Sequence, residues 1–340
     1  MKRNLYALIV TFLFVIMLSV GASSSFTQTY GYSVTDLGTL PGGLGSDAKS
    51  INNAGQVAGA AVAADGGFHA FLYSNGVMTD LGTAGHYSMA YGINDLGQVT
   101  GVLENHTFLY SGGLMNDLGT LPGTDDHKFV NDQCADRNQS TGFAINNSGT
   151  VVGTSKCQAM VYSDGKMTGL NLNGSYYALG INNLNQIVGM SQYIKAGAQV
   201  NHAFLYSDGH MQDLGAFDGR DFSYATGIND NGAVVGGSQT ASGNMRAFLY
   251  ANGVMTNLGT LDGQVSSIAE AINNQGVIVG DTDTVPFIYR NGVMTDLTTL
   301  VPPGILQLYH AADINDAGQI VGYGYNYYGQ QHAFLLTPMN

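Results

Sequence analysis

The chain has 340 residues, with 11 Lys and Arg against 24 Asp and Glu, and therefore a formal net charge of −13. Because phosphate binding depends on clustered Lys and Arg, this balance argues against a nucleic-acid partner. Only 10% of the residues are charged, Gly occurs 48 times and 44% of the chain is apolar, which excludes a disordered chain or one rich in surface helices and favours a large all-β domain.

The N-terminal segment predicts an exported protein. Two basic residues, Lys2 and Arg3, precede a mostly apolar run from Leu5 to Val20, and small residues follow it. This order is typical of a cleaved secretory signal peptide; the alternative is a retained membrane anchor, since the run approaches a spanning length. We expect a secreted, extracellular protein with no membrane span after signal cleavage. The predicted divisions are a signal peptide at 1–22, a linker at 23–31 and one repeat domain at 32–340.

One unit of about 44 residues recurs seven times along the rest of the chain. Each unit has an Ile-Asn pair, a V-x-G segment, an aromatic-aliphatic segment such as 70–73 and, in six copies, a segment such as 77–82. We call the four predicted strands a to d in chain order. Their nearly continuous apolar runs predict burial on both faces. The Ile-Asn pairs begin at Ile51, Ile93, Ile145, Ile181, Ile228, Ile272 and Ile314.

The turns between these strands fall into two groups by length. The Ile of strand a lies 8 residues before the Gly of strand b in every copy, and the apolar residue of strand c lies 10 residues before the Leu of strand d in all six complete copies. By contrast, the spacing from strand b to strand c varies from 7 to 15 residues, and that from strand d to the next strand a varies from 11 to 27. Asn75-Gly76 between c and d is typical of a type I′ hairpin. Because the turns of a meander alternate between two ends, all length variation lies on one surface, the variable face, and the a–b and c–d turns form the constant face.

The phase of the repeat predicts a closed ring. Residues 34–38 form an unpaired strand d before the first unit, and no strand d follows the last strand c at 332–335. Pairing them gives an all-β, seven-bladed β-propeller of four-stranded blades, closed by the N-terminal strand completing the last blade. An open β-solenoid is the alternative, but it has no use for this complementary phase.

The units resemble the HAF-repeat family of probable extracellular repeat proteins, named after the tripeptide in strand c. The resemblance covers about 33–337 and implies an exported, propeller-like protein, without implying an activity. Two copies depart from the family pattern at the tripeptide position, at 158–160 and 285–287. The tripeptide stands at His69-Ala70-Phe71, His202-Ala203-Phe204 and His332-Ala333-Phe334.

Tyrosines in the variable loops are the main binding candidates. Their flat apolar rings and hydroxyls suit sugars or protein surfaces, and the alternative is that they pack between blades. We also include Asp125 and Asp126, the acidic pair in the longest loop, among the candidates. The candidate ligand-binding residues are Tyr193, Tyr224, Tyr309, Tyr323, Tyr325, Tyr327, Tyr328, Asp125 and Asp126.

Other polar patterns favour structural roles. The His of strand c recurs in separate blades and cannot converge on a metal, and the Asn of Ile-Asn is expected to bond its own hairpin, with an axial polar ring as the alternative. Acid pairs such as Asp281 and Asp283 lack a compact calcium loop, so we interpret them as solvated loop charge. Calcium has weak support, any metal site is unknown, and no other cofactor is predicted.

Cys134 and Cys157 predict a disulfide, because an even cysteine count in an exported chain favours one; two buried thiols are the alternative. Cys134 lies in the 27-residue connection between strand d and strand a, and Cys157 lies in a short b–c connection on the same face. The disulfide would pin the long loop at its base.

The resulting functional hypothesis is a monomeric binding or scaffold protein that recognises a glycan or an extracellular protein through the variable face. No catalytic motif is present, so no catalytic residue is assigned and the question of an enzyme stays open, leaning to none. A carbohydrate-active hydrolase or lyase, with carboxylates converging at the propeller mouth, and a purely structural cell-surface protein are the alternatives.

Deletion of 124–138 tests whether the long loop contacts the ligand. We expect ligand binding to fall, because the deletion removes the acidic pair and one cysteine while leaving every predicted strand in place. Binding of the mature chain and of the deletion variant is compared on the same ligand panel. Unchanged binding to every ligand would contradict this role for the loop.

Overall fold

The computed structural model describes residues 31–82, 86–122, 138–170, 175–195 and 197–339. Seven four-stranded antiparallel sheets form the blades of a seven-bladed β-propeller, which confirms the predicted fold class. Within these ranges the helical segments are two single 3₁₀ turns, Phe217–Gly219 and Leu297–Leu300. None of the described helices is long and apolar enough to cross a membrane.

Each blade is a meander whose strands follow the predicted order a to d. The first described strand is β1 (Tyr32–Asp36), which belongs to the last blade. Blades 1 to 3 are β2 (Ser46–Ile51), β3 (Val57–Val62), β4 (Phe68–Ser74), β5 (Val77–Asp80); β6 (Ser88–Ile93), β7 (Val99–Leu103), β8 (His106–Ser111), β9 (Leu114–Asp117); and β10 (Ser140–Ile145), β11 (Val151–Ser155), β12 (Gln158–Ser163), β13 (Lys166–Gly169).

Blades 4 to 7 continue the same order, and strands b and c are longest in blade 4. They are β14 (Ser175–Ile181), β15 (Ile187–Lys195), β16 (Ala198–Ser207), β17 (His210–Gly215); β18 (Ser223–Ile228), β19 (Val234–Gln239), β20 (Met245–Ala251), β21 (Val254–Asn257); β22 (Ser267–Ile272), β23 (Ile278–Thr282), β24 (Pro286–Arg290), β25 (Val293–Asp296); and β26 (Gln307–Ile314), β27 (Ile320–Tyr325), β28 (Gln331–Pro338), with β1 as the fourth strand.

The ring closes through β1. It pairs antiparallel with β28, with Tyr32 opposite Pro338 and Asp36 opposite Phe334. The first described strand therefore supplies strand d of blade 7, as predicted, and covers an edge that would otherwise expose unpaired backbone groups.

Strands b and c form the core of each blade. In β3, the residues from Val57 to Ala61 are all buried, and the Gly of strand b is required by a close approach: a Cβ on Gly101 would lie 1.9 Å from the backbone oxygen of Met89. Strand d is largely exposed, as in β5, because its outer edge faces solvent, so the expected burial on both faces is wrong for that strand. The fully buried strand-c side chains are Phe71, Phe108, Met160, Phe204, Phe248, Phe287 and Phe334.

The strand-c histidines pair with strand d of the same blade. His69 Nδ1 lies 2.8 Å from the Asp80 carboxylate, and Asp80 also accepts a hydrogen bond from the backbone N–H of Gly82. The pairs lie in different sheets, which agrees with their assignment to structure. The others are His106–Asp117, His202–Asp213 and His332–Asp36.

The asparagines of the Ile-Asn pairs form a closed ring around the axis. Asn52 Oδ1 accepts hydrogen bonds from the backbone N–H groups of Ala54 and Gln56 in its own hairpin, while its Nδ2 donates to the backbone oxygen of Asn94 at 2.9 Å. The predicted hairpin contact is confirmed, and the alternative, an axial ring, is present as well. The ring runs through Asn52, Asn94, Asn146, Asn182, Asn229, Asn273 and Asn315 and returns to Asn52.

The next residue of each blade adds a second closed ring. The backbone N–H of Asn53 donates to Asp95 Oδ1 at 2.8 Å, and the corresponding bond from Asp316 to Asn53 Oδ1, 2.9 Å long, completes the circle. Each blade is therefore joined to the next by at least two hydrogen bonds at the constant face. The members are Asn53, Asp95, Asn147, Asn183, Asp230, Asn274 and Asp316.

Asn94→Ala tests the contribution of the ring to stability. The change leaves the buried carbonyl of Asn146 and the N–H groups of the hairpin without partners, so we expect the free energy of unfolding to fall by about 2–4 kcal/mol. Leu96→Ala, in the same turn and with Leu96 70% exposed, is the control and should change it by less than about 0.5 kcal/mol. Denaturant titration measures both; equal effects would contradict a special role for the ring.

Candidate functional site in the axial channel

The innermost strands line an axial channel, whose cavity is formed by the two residues before each Ile and by most of the Ile residues. Two positions of each strand differ most in chemical character between blades. Side chains alternate along a strand, so the residues two and four before the Ile point to the same side. The first position lines a cavity of about 220 Å³ and holds Lys49, Tyr91, Phe143, Leu179, Thr226, Glu270 and Ala312. The second position holds Asp47, Met89, Thr141, Tyr177, Tyr224, Ile268 and His310.

These positions divide the channel into a charged side and an aromatic side. Blades 6, 7 and 1, which are neighbours in the closed ring, carry the charged residues. Blades 2 to 5 carry the aromatic ones, with ring centroids 5.6 Å apart for Tyr91 and Phe143 and 6.3 Å apart for Phe143 and Tyr177. Toward the constant face, the ring of Ile residues separates this cavity from one of about 160 Å³ at the Asn rings.

Both cationic side chains on the charged side have carboxylate partners. Lys49 Nζ lies 2.7 Å from Asp47 Oδ2, and His310 Nδ1 donates a hydrogen bond to the carboxylate of Asp281 in β23. Burial opposes a charge on His310, but the hydrogen bond and negative charge of Asp281 outweigh it and raise the His310 pKa. The two cations are therefore neutralised within the protein.

The two remaining carboxylates differ in their surroundings. Asp313 accepts hydrogen bonds from Ser50 Oγ at 2.8 Å and from the backbone N–H groups of Ile51 and Ile314 at 2.9 and 2.8 Å, so it joins blade 7 to blade 1. Burial raises its pKa to about 6, partly opposed by these donors. Glu270 faces the cavity and has no hydrogen-bond partner within the described residues. Burial raises its pKa to about 7, although His310 and Lys49 partly oppose the shift.

Three of the predicted binding tyrosines meet on blade 7. Tyr309 stacks on Tyr323 with ring centroids 5.6 Å apart, and Tyr325 packs edge-on to both, at 5.6 and 6.1 Å. We call these three residues the tyrosine cluster. Tyr327 and Tyr328 lie at the tip of the β27–β28 hairpin and are 94% and 82% exposed. The cluster connects to the channel, because Tyr323 also lies 5.5 Å from the His310 ring.

The other predicted tyrosines lie elsewhere. The Tyr193 hydroxyl donates to the Asp213 carboxylate at 3.0 Å, so it braces the β15–β16 hairpin of blade 4, and burial followed by Asp213 raises its pKa to about 12. Tyr224 is on the innermost strand of blade 5, where burial and then the charge of Glu270 raise its pKa to about 12. Neither contributes to the tyrosine cluster.

Part of the predicted site lies outside the described residues, namely Asp125, Asp126 and Cys134. The disulfide between Cys134 and Cys157 therefore stays a prediction, and so does the role of the acidic loop. Cys157 lies in the β11–β12 turn with a positive φ of 61°. The described residues contain no group of three or more His, Cys, Asp or Glu side chains that could hold a metal ion.

Sequence analysis missed the charged side of the channel. The interpretation of Asp281 as solvated loop charge is wrong, because it lies at the end of strand b and bonds His310 across the blade interface. A usable signal was present in the sequence: the positions two and four before each Ile vary in chemical character between blades, while their neighbours repeat.

Comparisons with known proteins define the fold but no family. No protein-family profile and no curated protein matches the chain, so the HAF-repeat resemblance stays a prediction. A puromycin-hydrolysing peptidase of Mycobacterium tuberculosis is 13% identical with a TM-score of 0.53; the alignment covers 88% of this chain and 53% of that one, so the chain spans about half of its length. This similarity shows the fold alone.

Two other solved structures align over most of both chains. A gluconolactonase of Xanthomonas campestris is 9% identical with a TM-score of 0.44, and the alignment covers 90% of this chain and 89% of that one. A lectin of Burkholderia pseudomallei is 11% identical with a TM-score of 0.43, with 92% and 97% covered. Function has to be argued from the site, because propellers host many unrelated activities.

Glu270→Gln tests the electrostatics of the channel. The folded-state pKa of about 7 lies above the ordinary value of 4.5, so the contribution of Glu270 to stability is full below about pH 4.5 and is lost as the pH rises through 7. We expect the variant to be more stable than the wild type at pH 8 by on the order of 2 kcal/mol, and nearly equal at pH 4.5.

Denaturant titrations at the two pH values measure the difference. Glu104→Gln is the matched control, because it makes the same change at a half-exposed residue beside His86 in blade 2, outside the channel. A gain in stability for Glu270→Gln that is the same at both pH values would contradict the raised pKa of Glu270.

Proposed function

We propose that this chain is a secreted binding protein that recognises a carbohydrate at the variable face, where the tyrosine cluster of blade 7 meets the axial channel. The tyrosine cluster carries the proposal: three stacked and edge-packed rings, partly exposed, lie next to two tyrosines that are almost fully exposed at a hairpin tip. The leader and the HAF-repeat resemblance support export.

The chemistry of the site fits a sugar ring. The faces of Tyr309 and Tyr325 offer flat apolar area to the C–H groups of a sugar, and their hydroxyls offer hydrogen bonds. The neighbouring channel adds carboxylates and a histidine that suit sugar hydroxyls. A rigid ring of blades holds these groups in place, so little conformational entropy is lost when the ligand binds.

A glycoside hydrolase has weaker support from the same residues. Glu270, with its raised pKa, has the character of a general acid, but that chemistry uses two carboxylates flanking the scissile bond. Asp281 is bonded to His310, Asp47 to Lys49, and Asp313 to three donors. Among the described channel residues, each of these carboxylates therefore has a partner, although Asp47 Oδ1 itself is buried without a hydrogen bond, and this arrangement favours binding over hydrolysis.

A glycan array probed with the mature chain tests the proposal. We expect saturable binding that falls about tenfold or more in Tyr325→Ala and in the double variant Tyr327→Ala/Tyr328→Ala, because stacking area is lost. A parallel array with EDTA tests a requirement for calcium.

Leu96→Ala is the control for the array, because it also removes exposed apolar area but lies on the constant face. Its binding should equal that of the wild type. A blank array, or equal losses in the control and the tyrosine variants, would remove the carbohydrate assignment and point to a protein partner.

A further inference from the structure

Glu270 is a channel carboxylate whose charge the described residues compensate only in part. It is enclosed by the innermost strands, its carboxylate reaches the 220 Å³ cavity, and within the described residues it has no hydrogen-bond partner. A carboxylate that is largely enclosed and has no hydrogen-bond partner is costly, and the fold does not require one here. The same position holds Leu179 in blade 4 and Ala312 in blade 7.

The surrounding charges leave two carboxylates, Glu270 and Asp313, without a cationic partner, and of these Asp313 is held by three hydrogen-bond donors. Lys49 is paired with Asp47 and His310 with Asp281, so these two cations compensate the charge of Glu270 only in part. A ligand entering the cavity therefore meets a carboxylate whose oxygens are open to a donor. A positively charged donor would stabilise it most, since it supplies both a hydrogen bond and the missing charge.

The opposite wall of the cavity suits an organic cation. Tyr91 and Phe143 line it from blades 2 and 3, and aromatic faces attract ammonium groups. The cavity of about 220 Å³ is smaller than the ~300–1,000 Å³ typical of pockets for drug-sized ligands, so it suits one terminal group rather than a chain.

We infer that the axial channel is a binding site for a protonated primary amine, with the ammonium group held by the Glu270 carboxylate and the carbon skeleton against Tyr91 and Phe143. Where the proposed carbohydrate binding holds, the amine belongs to an amino sugar at the end of the glycan. The assignment of the amine to an amino sugar rests on the proposed function, whereas the ammonium site rests on the channel alone.

Calorimetric titration of the mature chain tests the inference with four probes: D-glucosamine, N-acetyl-D-glucosamine, D-glucose and butylamine. We expect D-glucosamine and butylamine to bind and the two uncharged sugars to bind at least about tenfold more weakly. If butylamine binds and D-glucosamine does not, the result supports the ammonium site and overturns the assignment to an amino sugar. No binding of either amine, or equal binding of D-glucose, overturns the site.

Three variants make the test specific. Glu270→Gln should lower amine affinity at least about tenfold, because a buried charge pair is lost. Glu104→Gln, the matched control, should bind as the wild type does. Ala312→Leu fills the cavity without changing its charge and should weaken both amines, so a folding defect in one variant does not decide the result. Unchanged affinity in Glu270→Gln with folding intact, as judged by circular dichroism, overturns the site.

The outcome stays separable from the test of the proposed function. Loss of glycan-array binding in Tyr325→Ala concerns the tyrosine cluster, and Tyr325 does not line the cavity. A chain that binds butylamine through Glu270 but no glycan would keep the channel site and lose the carbohydrate proposal. The reverse result would keep the carbohydrate proposal and lose the channel site.

Discussion

The asparagine ring is the constraint on which the rest of the molecule depends. Each side chain completes its own a–b hairpin through Oδ1 and reaches the backbone of the next blade through Nδ2, so one residue type both shapes a turn and joins two blades. Seven such bonds close on themselves only if all seven innermost strands share one register. Because these groups are buried, a missing partner costs more than an average hydrogen bond contributes.

This fixed register separates two kinds of position on the innermost strands. The Ile, the Asn and the small buried residue represented by Ala48 repeat because packing and ring closure require them. The positions represented by Lys49 and Asp47 do not take part in ring closure, so the residues there differ between blades while the fold stays the same. The residue types therefore differ most between blades at positions that neither packing nor ring closure fixes, and a binding site is expected at such positions.

The charged side of the channel consequently combines structure and chemistry. Asp313 and Asp281 join neighbouring blades through backbone and histidine hydrogen bonds, and their energetic cost of burial is offset by these partners. Glu270 has no hydrogen-bond partner within the described residues, and its burial raises its pKa to about 7. A carboxyl with a shifted pKa that faces an aromatic wall across a cavity is typical of a functional site, which fits the proposed binding role.

The sequence alone determined the seven blades, the four strands of each, the hairpin turns and the closure by the first strand, because these follow from local patterns repeated at constant spacing. It also indicated the tyrosines of blade 7, since Tyr323 and Tyr325 are close in sequence. Only the tertiary structure brought Glu270, His310 and Lys49 together, because residues more than two hundred positions apart meet through the curvature of the closed ring. The channel cavity and its unpartnered carboxylate depend on that curvature, which no short sequence pattern encodes.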